Sequence, residues 1–316
     1  MDSTAPNPMV GCVIVVNDQI IAEGYTSPYG GSHAEVNAIK AVKDVSLLSK
    51  ATLYVTLEPC SHFGKTPPCS DLISAHKIPR VVIGCIDEHD KVCGKGIAKL
   101  KAAGCEVIVG VLEAECKAHH KRFFTYHTKK RPYIILKWAE SNDGFIAPRS
   151  KSEAKPVWIS NIYSRQLVHQ WRAEEQAILV GANTVVQDNP SLTTREVKGA
   201  NPIRVVIDLK NSLAESYQVF NSDAKTIRLT SKDIDTHHPL ASEVCKALYT
   251  QHITSVIIEG GQKTIQAFID ENLWDEARVF SSQINIKDGV LKPKLKGIPN
   301  SKTPIVSDSL NLFIND

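Results

Sequence analysis

Apolar positions in this chain fall into short runs that alternate between strand-like and helix-like spacing. Residues 10–16 ("VGCVIVV") and 19–25 are two apolar runs joined by the turn-forming "NDQ", which predicts a hairpin. A helical stretch follows from about 33 to 45. The pattern then gives a strand at 51–56, a helix near 71–75, a strand at 80–86, a helix at 96–103 and another apolar run at 106–111. Strands alternating with helices of this length predict a layered α/β domain whose sheet is largely parallel on one side. At 121–132 ("KRFFTYHTKKRP") the alternation gives way to a basic, aromatic, proline-ended stretch, and the domain boundary is placed there, dividing the chain into 1–128 and 129–316. Beyond it the alternation resumes. Strands are predicted at 133–139, 177–181, 203–208, 226–230, 255–259 and 276–281, with helices at 160–173 and 264–271. The second half is another α/β domain and not a repeat of the first.

Composition narrows this picture in three respects. A length of 316 residues suits two domains, and 42% hydrophobic with 22% charged residues excludes a disordered or fibrous chain. The net charge of +3 comes from scattered basic residues, which leaves no electrostatic footprint for nucleic acid as the main partner. No run approaches the roughly 18 apolar residues of a membrane span, and "MDSTAPNP" has no basic head followed by an apolar stretch. The expectation is a soluble cytoplasmic protein without a membrane partner. Eight cysteines are too dilute for a disulfide scaffold, so all but Cys60 and Cys69 read as small buried hydrophobes.

Two segments carry the chemistry of the first half. In "SHAEVNAI", His33 and Glu35 leave a helix start in different directions, so one can bind a metal while the other faces what the metal holds. In "EPCSHFGKTPPC", Cys60 lies just after a strand and Cys69 opens the next helix, where amide dipoles favour a thiolate. Three N and S ligands with a fourth position open to water is the arrangement of catalytic zinc, whereas four protein ligands would make a closed structural site. Such a zinc lowers the pKa of its water toward ~7. Glu35, not itself a ligand, would take the released proton and return it to a leaving ammonia. An H-x-E element followed by P-C is the signature of nucleobase deaminases, although here eight residues separate the cysteines.

The second half says less by itself. It has no G-x-G-x-x-G after its first strand, so a Rossmann dinucleotide site is not supported. "IIEGGQKTI" does place a strand, two glycines and a helix amino terminus in succession, a physical recipe for holding phosphate.

Taken together, "TAPNPMVGCVIV", "HAEVNAI" and "TLEPCSHFGKTPPC", followed by "ILKWAESNDGFIA", "WIS", "WRAEEQAILVGANTVVQDNPSLTTR", "RVVID" and "IEGG", closely resemble the bifunctional deaminase-reductase family of riboflavin biosynthesis. The resemblance covers nearly the whole chain. It implies a cytidine-deaminase-like three-layer α/β/α domain followed by a domain similar to dihydrofolate reductase. The implied reactions are hydrolytic deamination of 2,5-diamino-6-(5-phosphoribosylamino)pyrimidin-4-one, then NADPH-dependent reduction of the ribosyl chain of the product to ribityl. The partners implied are this small phosphorylated pyrimidine and further copies of the chain.

Residue by residue, the resemblance makes His33, Cys60 and Cys69 the zinc ligands and Glu35 the acid/base. Asn7, His62, Lys65 and Asp87 would meet the substrate in the deaminase. Ala139, Trp158, Thr184, Gly260, Gly261 and Thr264 would line NADPH. Arg172, Leu192, Arg195 and Glu259 would meet the substrate of the reductase, the two arginines suiting its phosphate through their guanidinium forks. Lys137, on the first strand of the second domain, is expected to act with Asp188 in polarising or protonating the ribosyl group as hydride arrives. The chain departs from the family pattern at His89, Pro156 and Leu209, and only six residues precede Asn7. Two other readings compete: a nucleoside or tRNA deaminase whose second domain only binds, and a protein in which zinc is purely structural. The modest net charge and Lys65 in the long cysteine loop argue against the first of these, and Glu35 against the second, since a structural site has no use for that carboxylate.

Overall fold

The predicted hairpin is the point from which the first sheet is built. In a computed structural model that describes residues 4–63, 67–88 and 93–315, strands β1 (Gly11–Val16) and β2 (Gln19–Tyr25) are joined through Asn17 and Asp18, both left-handed with φ of 49° and 59°. Two such residues make the tight turn whose twist matches the flanking strands. Helix α1 (Ala34–Ala41) follows, then β3 (Thr52–Leu57), α2 (Cys69–Ala75), β4 (Arg80–Cys85), α3 (Lys95–Ala102), β5 (Glu106–Val109) and α4 (Glu113–Lys129). The sheet order is β2-β1-β3-β4-β5, with β1 antiparallel to both neighbours and β3, β4 and β5 parallel. One face packs Ile14, Leu53 and Ile83 against Ala38, Ile73 and Leu100 of α1, α2 and α3. Thr56 and Gly84 face the other way, toward α4, where His120 Nε2 lies 3.2 Å from Thr56 Oγ1. Helices on both faces complete three layers and explain why β4 is apolar almost throughout.

Two expectations are corrected here. Helix α1 ends at Ala41 rather than 45, and Asp44, whose carboxylate accepts the Ser46 N–H at 3.0 Å, starts a separate 3₁₀ turn at Val45–Lys50. The stretch 121–132 is not a break in regular structure but mostly the second half of α4, its basic end suited to a helix C-terminus. The chain divides into two compact units between Lys130 and Arg131, two residues beyond the expected boundary.

The second unit is a sheet of eight strands: β6 (Tyr133–Glu140), β8 (Ala177–Gly181), β9 (Ile203–Ile207), β10 (Thr226–Leu229), β11 (Ser255–Ile258), β12 (Glu276–Ser281), β14 (Ser301–Ile305) and β15 (Asp308–Ile314). Their order is β10-β9-β8-β11-β6-β12-β15-β14, parallel as far as β12, after which β15 and β14 are antiparallel. Strand β7 (Phe145–Pro148) pairs with β13 (Gly289–Leu291) in a separate ribbon. Helices α5 (Ile162–Glu174), α6 (Ala182–Asp188), α7 (Leu240–Thr250) and α8 (Gln262–Asp270) connect the strands. Because β6, β8 and β11 are buried on both faces, Ile134 and Leu136 meet Phe268 and Val244 on one side, and Ile135 and Ile257 meet Trp171 and Phe280 on the other. The hydrophobic pattern did not yield α4, α6, α7, β7 or β13 to β15. Among the described residues, no helix is long and apolar enough to cross a membrane.

The seat of α1 on the hairpin is tight. A Cβ on Gly24 would lie 2.3 Å from Ala38 N and 2.4 Å from Ala34 O, so backbone meets backbone there. Gly24→Ala is expected to destabilise the first unit by about 1–3 kcal/mol, the scale of overpacking. Urea unfolding measures this, and an unchanged midpoint would show that α1 can lift away without loss.

Candidate functional sites

The first site forms where the carboxyl end of β3 faces the amino termini of two helices. His33 is the N-cap residue of α1, Cys60 lies three residues beyond β3, and Cys69 is the first residue of α2. Their ligating atoms all lie within 4.8 Å of one another. His33 Nδ1 is 3.6 Å from Cys60 Sγ and 3.4 Å from Cys69 Sγ. A tetrahedral ion with arms of roughly 2.3 Å to sulfur and 2.0–2.1 Å to nitrogen has N···S edges of about 3.5 Å, so the spacing fits zinc. The donor set, one imidazole and two soft sulfurs, fits it too. Among the described residues no fourth side chain joins the group, which leaves a corner for a reactant.

The local charges are arranged for proton transfer. A hydrogen bond from the Cys69 thiol, and then one with His33, draw the Cys60 thiol down to about 4. The same contact raises Cys69 well above the usual thiol range. Between them the two sulfurs hold one proton, which a divalent cation bound by both would expel. Glu35, one residue into α1, is buried, and that burial, with the Cys60 charge adding to it, pushes its carboxyl up to about 7. Asn7, His33, Glu35, Cys60, His62 and Asp87 all line one cavity of about 270 Å³. Lys65 and His89 lie outside the described residues.

Among the further lining residues that the sequence did not single out are Glu58, Phe123 and His127. Phe123 and His127 sit four residues apart on α4 with ring centroids 4.5 Å apart, a spacing that would have been legible had α4 been recognised. Glu58 directly follows β3, and its carboxylate accepts four backbone N–H groups.

The second unit holds a larger cavity of about 760 Å³, within the range of small-molecule sites. Ten expected residues line it together with Lys137: Ala139, Trp158, Arg172, Thr184, Asp188, Leu192, Arg195, Glu259, Gly260 and Gly261. Thr264 does not. It is buried beneath the glycine turn, and its Oγ1 lies 2.8 Å from where a Cβ on Gly181 would stand. Gly261 has φ of 70°, which favours glycine, and opens α8, while a Cβ on Gly260 would meet Val180 and Thr184 at 2.7 and 3.0 Å. This glycine pair and the helix N-terminus behind it leave room and free N–H groups for a phosphate.

The charges in this cavity centre on Glu259, which directly follows β11. Lys137 Nζ donates to Glu259 Oε1 at 2.8 Å and Arg172 Nη2 donates to Oε2 at 2.7 Å. Burial would raise this carboxyl, but the Arg172 and Lys137 charges more than reverse that and hold it at about 2. Lys137 is therefore paired with Glu259, while Asp188, expected from the sequence to act with it on the ribosyl group, accepts from Lys151. Arg172 likewise turns its fork inward, to Glu259 and to the Thr193 carbonyl at 3.2 Å, while the Arg195 guanidinium donates to the Ser191 and Thr193 hydroxyls. His169, missed by the sequence reading although it shares a helix turn with Arg172, accepts the Arg195 N–H at 3.2 Å and is held at about 4 by burial and the two arginines. Trp158 is 57% exposed, with the Arg165 guanidinium 4.7 Å from its ring centroid, so it borders the cavity rather than packing in the core. Pro156 also lines the cavity, whereas Leu209 packs against the core.

Comparison with known proteins places this geometry in context. A family profile described as "RibD C-terminal domain" matches residues 132–284, and one described as "Cytidine and deoxycytidylate deaminase zinc-binding region" matches residues 1–85. The chain is 40% identical over 293 residues to the riboflavin biosynthesis protein RibD of Aquifex aeolicus, covering 88% of this chain and 81% of that protein. It is 42% identical over 313 residues to RibD of Chlamydia pneumoniae, covering 90% and 80%. Its fold superposes with a TM-score of 0.88 on a diaminohydroxyphosphoribosylaminopyrimidine deaminase/5-amino-6-(5-phosphoribosylamino)uracil reductase from Thermotoga maritima, at 37% identity and covering 100% and 94%. With RibD of Acinetobacter baumannii the TM-score is 0.85 at 29% identity, covering 99% and 94%. The two units thus have the expected fold class, a three-layer deaminase-like domain and a reductase domain of the dihydrofolate-reductase-like kind.

Because folding depresses the Glu259 pKa from 4.5 to about 2, its contribution to stability is present above about 4.5 and lost as pH falls toward 2. Glu259→Gln leaves Lys137 and Arg172 buried without a counter-charge, at an expected cost of about 3–5 kcal/mol near neutrality. Denaturant unfolding at pH 7 and pH 3 should show the deficit shrink on acidification; a deficit independent of pH would contradict this account.

Proposed function

The chain belongs to the RibD family of riboflavin-biosynthesis enzymes, and from that membership we propose how its two cavities divide the work. It is a bifunctional enzyme, a zinc-dependent deaminase in its first unit and an NADPH-dependent reductase in its second. The substrate of the first reaction is 2,5-diamino-6-(5-phosphoribosylamino)pyrimidin-4-one, from which water displaces an exocyclic amino group as ammonia: a C–O bond forms and a C–N bond breaks. The substrate of the second is the product, 5-amino-6-(5-phosphoribosylamino)uracil, whose ribosyl chain is reduced to ribityl.

The observation that carries the first assignment is a His-Cys-Cys trio with tetrahedral spacing beside a buried, proton-holding Glu35. His33, Cys60 and Cys69 would hold the zinc, which when bound lowers the proton affinity of a water and so supplies a nucleophile at neutral pH. Glu35, with its carboxyl near 7, takes the proton from the attacking water and delivers it to the departing nitrogen. Asn7, His62 and Asp87 line the cavity around the pyrimidine. Lys65 is assigned to the phosphate by family resemblance alone.

In the second cavity, NADPH, when bound, supplies the hydride. Gly260 and Gly261, with the start of α8, would receive one of its phosphates, beside Ala139, Trp158 and Thr184. Lys137, held in place by Glu259 at 2.8 Å, gives a proton to the sugar oxygen as the ribosyl ring opens. Asp188, neutralised by Lys151, positions the wall of the cavity rather than exchanging that proton. Arg195 meets the substrate phosphate, and Leu192, buried with φ of 54°, shapes the turn beside it. The same reading takes the protein to be cytoplasmic and homo-oligomeric, acting on a small molecule rather than nucleic acid, in keeping with a net charge of only +3.

The direct test is zinc analysis of the purified chain, coupled to ammonia release from the diaminopyrimidine and NADPH oxidation with its deaminated product. One zinc per chain and both activities are expected. Turnover of cytidine or adenosine in place of the pyrimidine phosphate would overturn the substrate, and no NADPH oxidation by the folded chain would overturn the reductase. Glu35→Gln should keep zinc but lower ammonia release by about 10²–10⁴-fold, leaving NADPH oxidation intact. Lys137→Met should do the reverse, lowering kcat of reduction on a similar scale while deamination proceeds.

A further inference from the structure

Glu58 is a buried carboxylate that neither reaction as described above employs. Only 4% exposed, it occupies the single position between the end of β3 and the Pro59–Cys60 pair that carries a zinc ligand. Its Oε1 accepts the N–H of Gly96 at 2.9 Å and of Ile97 at 3.2 Å, and its Oε2 accepts the N–H of Gly94 at 2.9 Å and of Asp87 at 3.4 Å.

Gly96 and Ile97 are the second and third residues of α3, whose first N–H groups have no acceptor within the helix. The N-cap residue is Gly94, which has no side chain with which to satisfy them. Glu58 therefore caps α3 from a different strand, and its negative charge sits at the positive end of that helix. The same carboxylate reaches back to the amide of Asp87, so both ends of the segment from Asp87 to Ile97 are tied to one side chain. Contact with the ligand loop is equally close: a Cβ on Gly96 would lie 2.0 Å from the Pro59 carbonyl oxygen. Asp87 and Glu58 line the cavity that also exposes His33, Glu35 and Cys60.

We infer that Glu58 is a positioning residue for deamination, which fixes Asp87 against the pyrimidine by gathering four backbone amides. The inference rests on the function proposed above, in which Asp87 meets the substrate. Glutamine cannot substitute, because one of its two terminal atoms is itself a donor and would oppose an N–H pair. Aspartate keeps the charge but falls one methylene short.

The test uses the full-length zinc-loaded chain. Glu58→Gln is expected to raise KM for ammonia release at least tenfold with a smaller change in kcat, while zinc content and NADPH oxidation stay as in the wild type. In an Asp87→Ala background the same change should add little, since both act through one contact. Additive effects of the two substitutions, or a wild-type KM, would overturn the inference. So would a loss of zinc, which would make Glu58 a support for Cys60 instead. Hydrogen exchange at the amides of Gly94, Gly96 and Ile97 should quicken in the variant whatever the substrate proves to be, so unaltered exchange sinks this inference even if the wild-type chain deaminates something else. Should the Gln chain not fold, Glu58→Asp is measured in the same way with the same expectations.

Discussion

A carboxylate removed from water at the end of a parallel strand must be compensated by whatever surrounds it, and in both units that requirement organises the site. In the first, Glu58 follows β3 and is met by four backbone amides, which draws the start of α3 and the Asp87 segment onto the zinc-ligand loop. In the second, Glu259 follows β11 and is met by Lys137 and Arg172, which come from β6 and α5. One solution uses dipoles and the other uses full charges. Each converges several elements on the carboxyl edge of the sheet, where open α/β folds place their ligands.

The environments also divide the labour among identical side chains. Among the described residues no cation bonds to Glu35, so burial dominates and pushes its carboxyl up to about 7. Glu259 has two cations bonded to it, so it stays charged well below neutrality and serves as a fixed counter-charge. Residue type alone does not distinguish a proton carrier from a fixed counter-charge. Neighbours within hydrogen-bonding distance do.

Much of the architecture was legible in the sequence because it rests on short-range rules. The two-residue turn at Asn17 and Asp18 fixed the first hairpin, and the apolar runs of β4, β6, β8 and β11 marked strands buried on both faces. Helix α4 escaped because its buried face is built from His120, Phe124, Thr125 and Tyr126, a mixture of polar and aromatic residues that reads as a linker when hydrophobicity is the only guide. The terminal hairpin of β14 and β15 escaped for the opposite reason: β14 is largely exposed, so it has no inward apolar face to announce it.

The His-Cys-Cys trio and the carboxyl beside it were legible in the sequence itself, since His33 and Glu35 are held by one helix turn and Cys60 and Cys69 by a strand end and a helix start. Those are local features, and their chemistry follows from residue type. What only the tertiary structure decided was partnership. That Lys137 faces Glu259, that Asp188 belongs to Lys151, that Arg172 turns inward and that Glu58 caps α3 all depend on residues between 37 and 122 positions apart in the chain meeting across a sheet edge. Distances of that kind are set by how the layers pack, and periodicity along the chain carries no record of them.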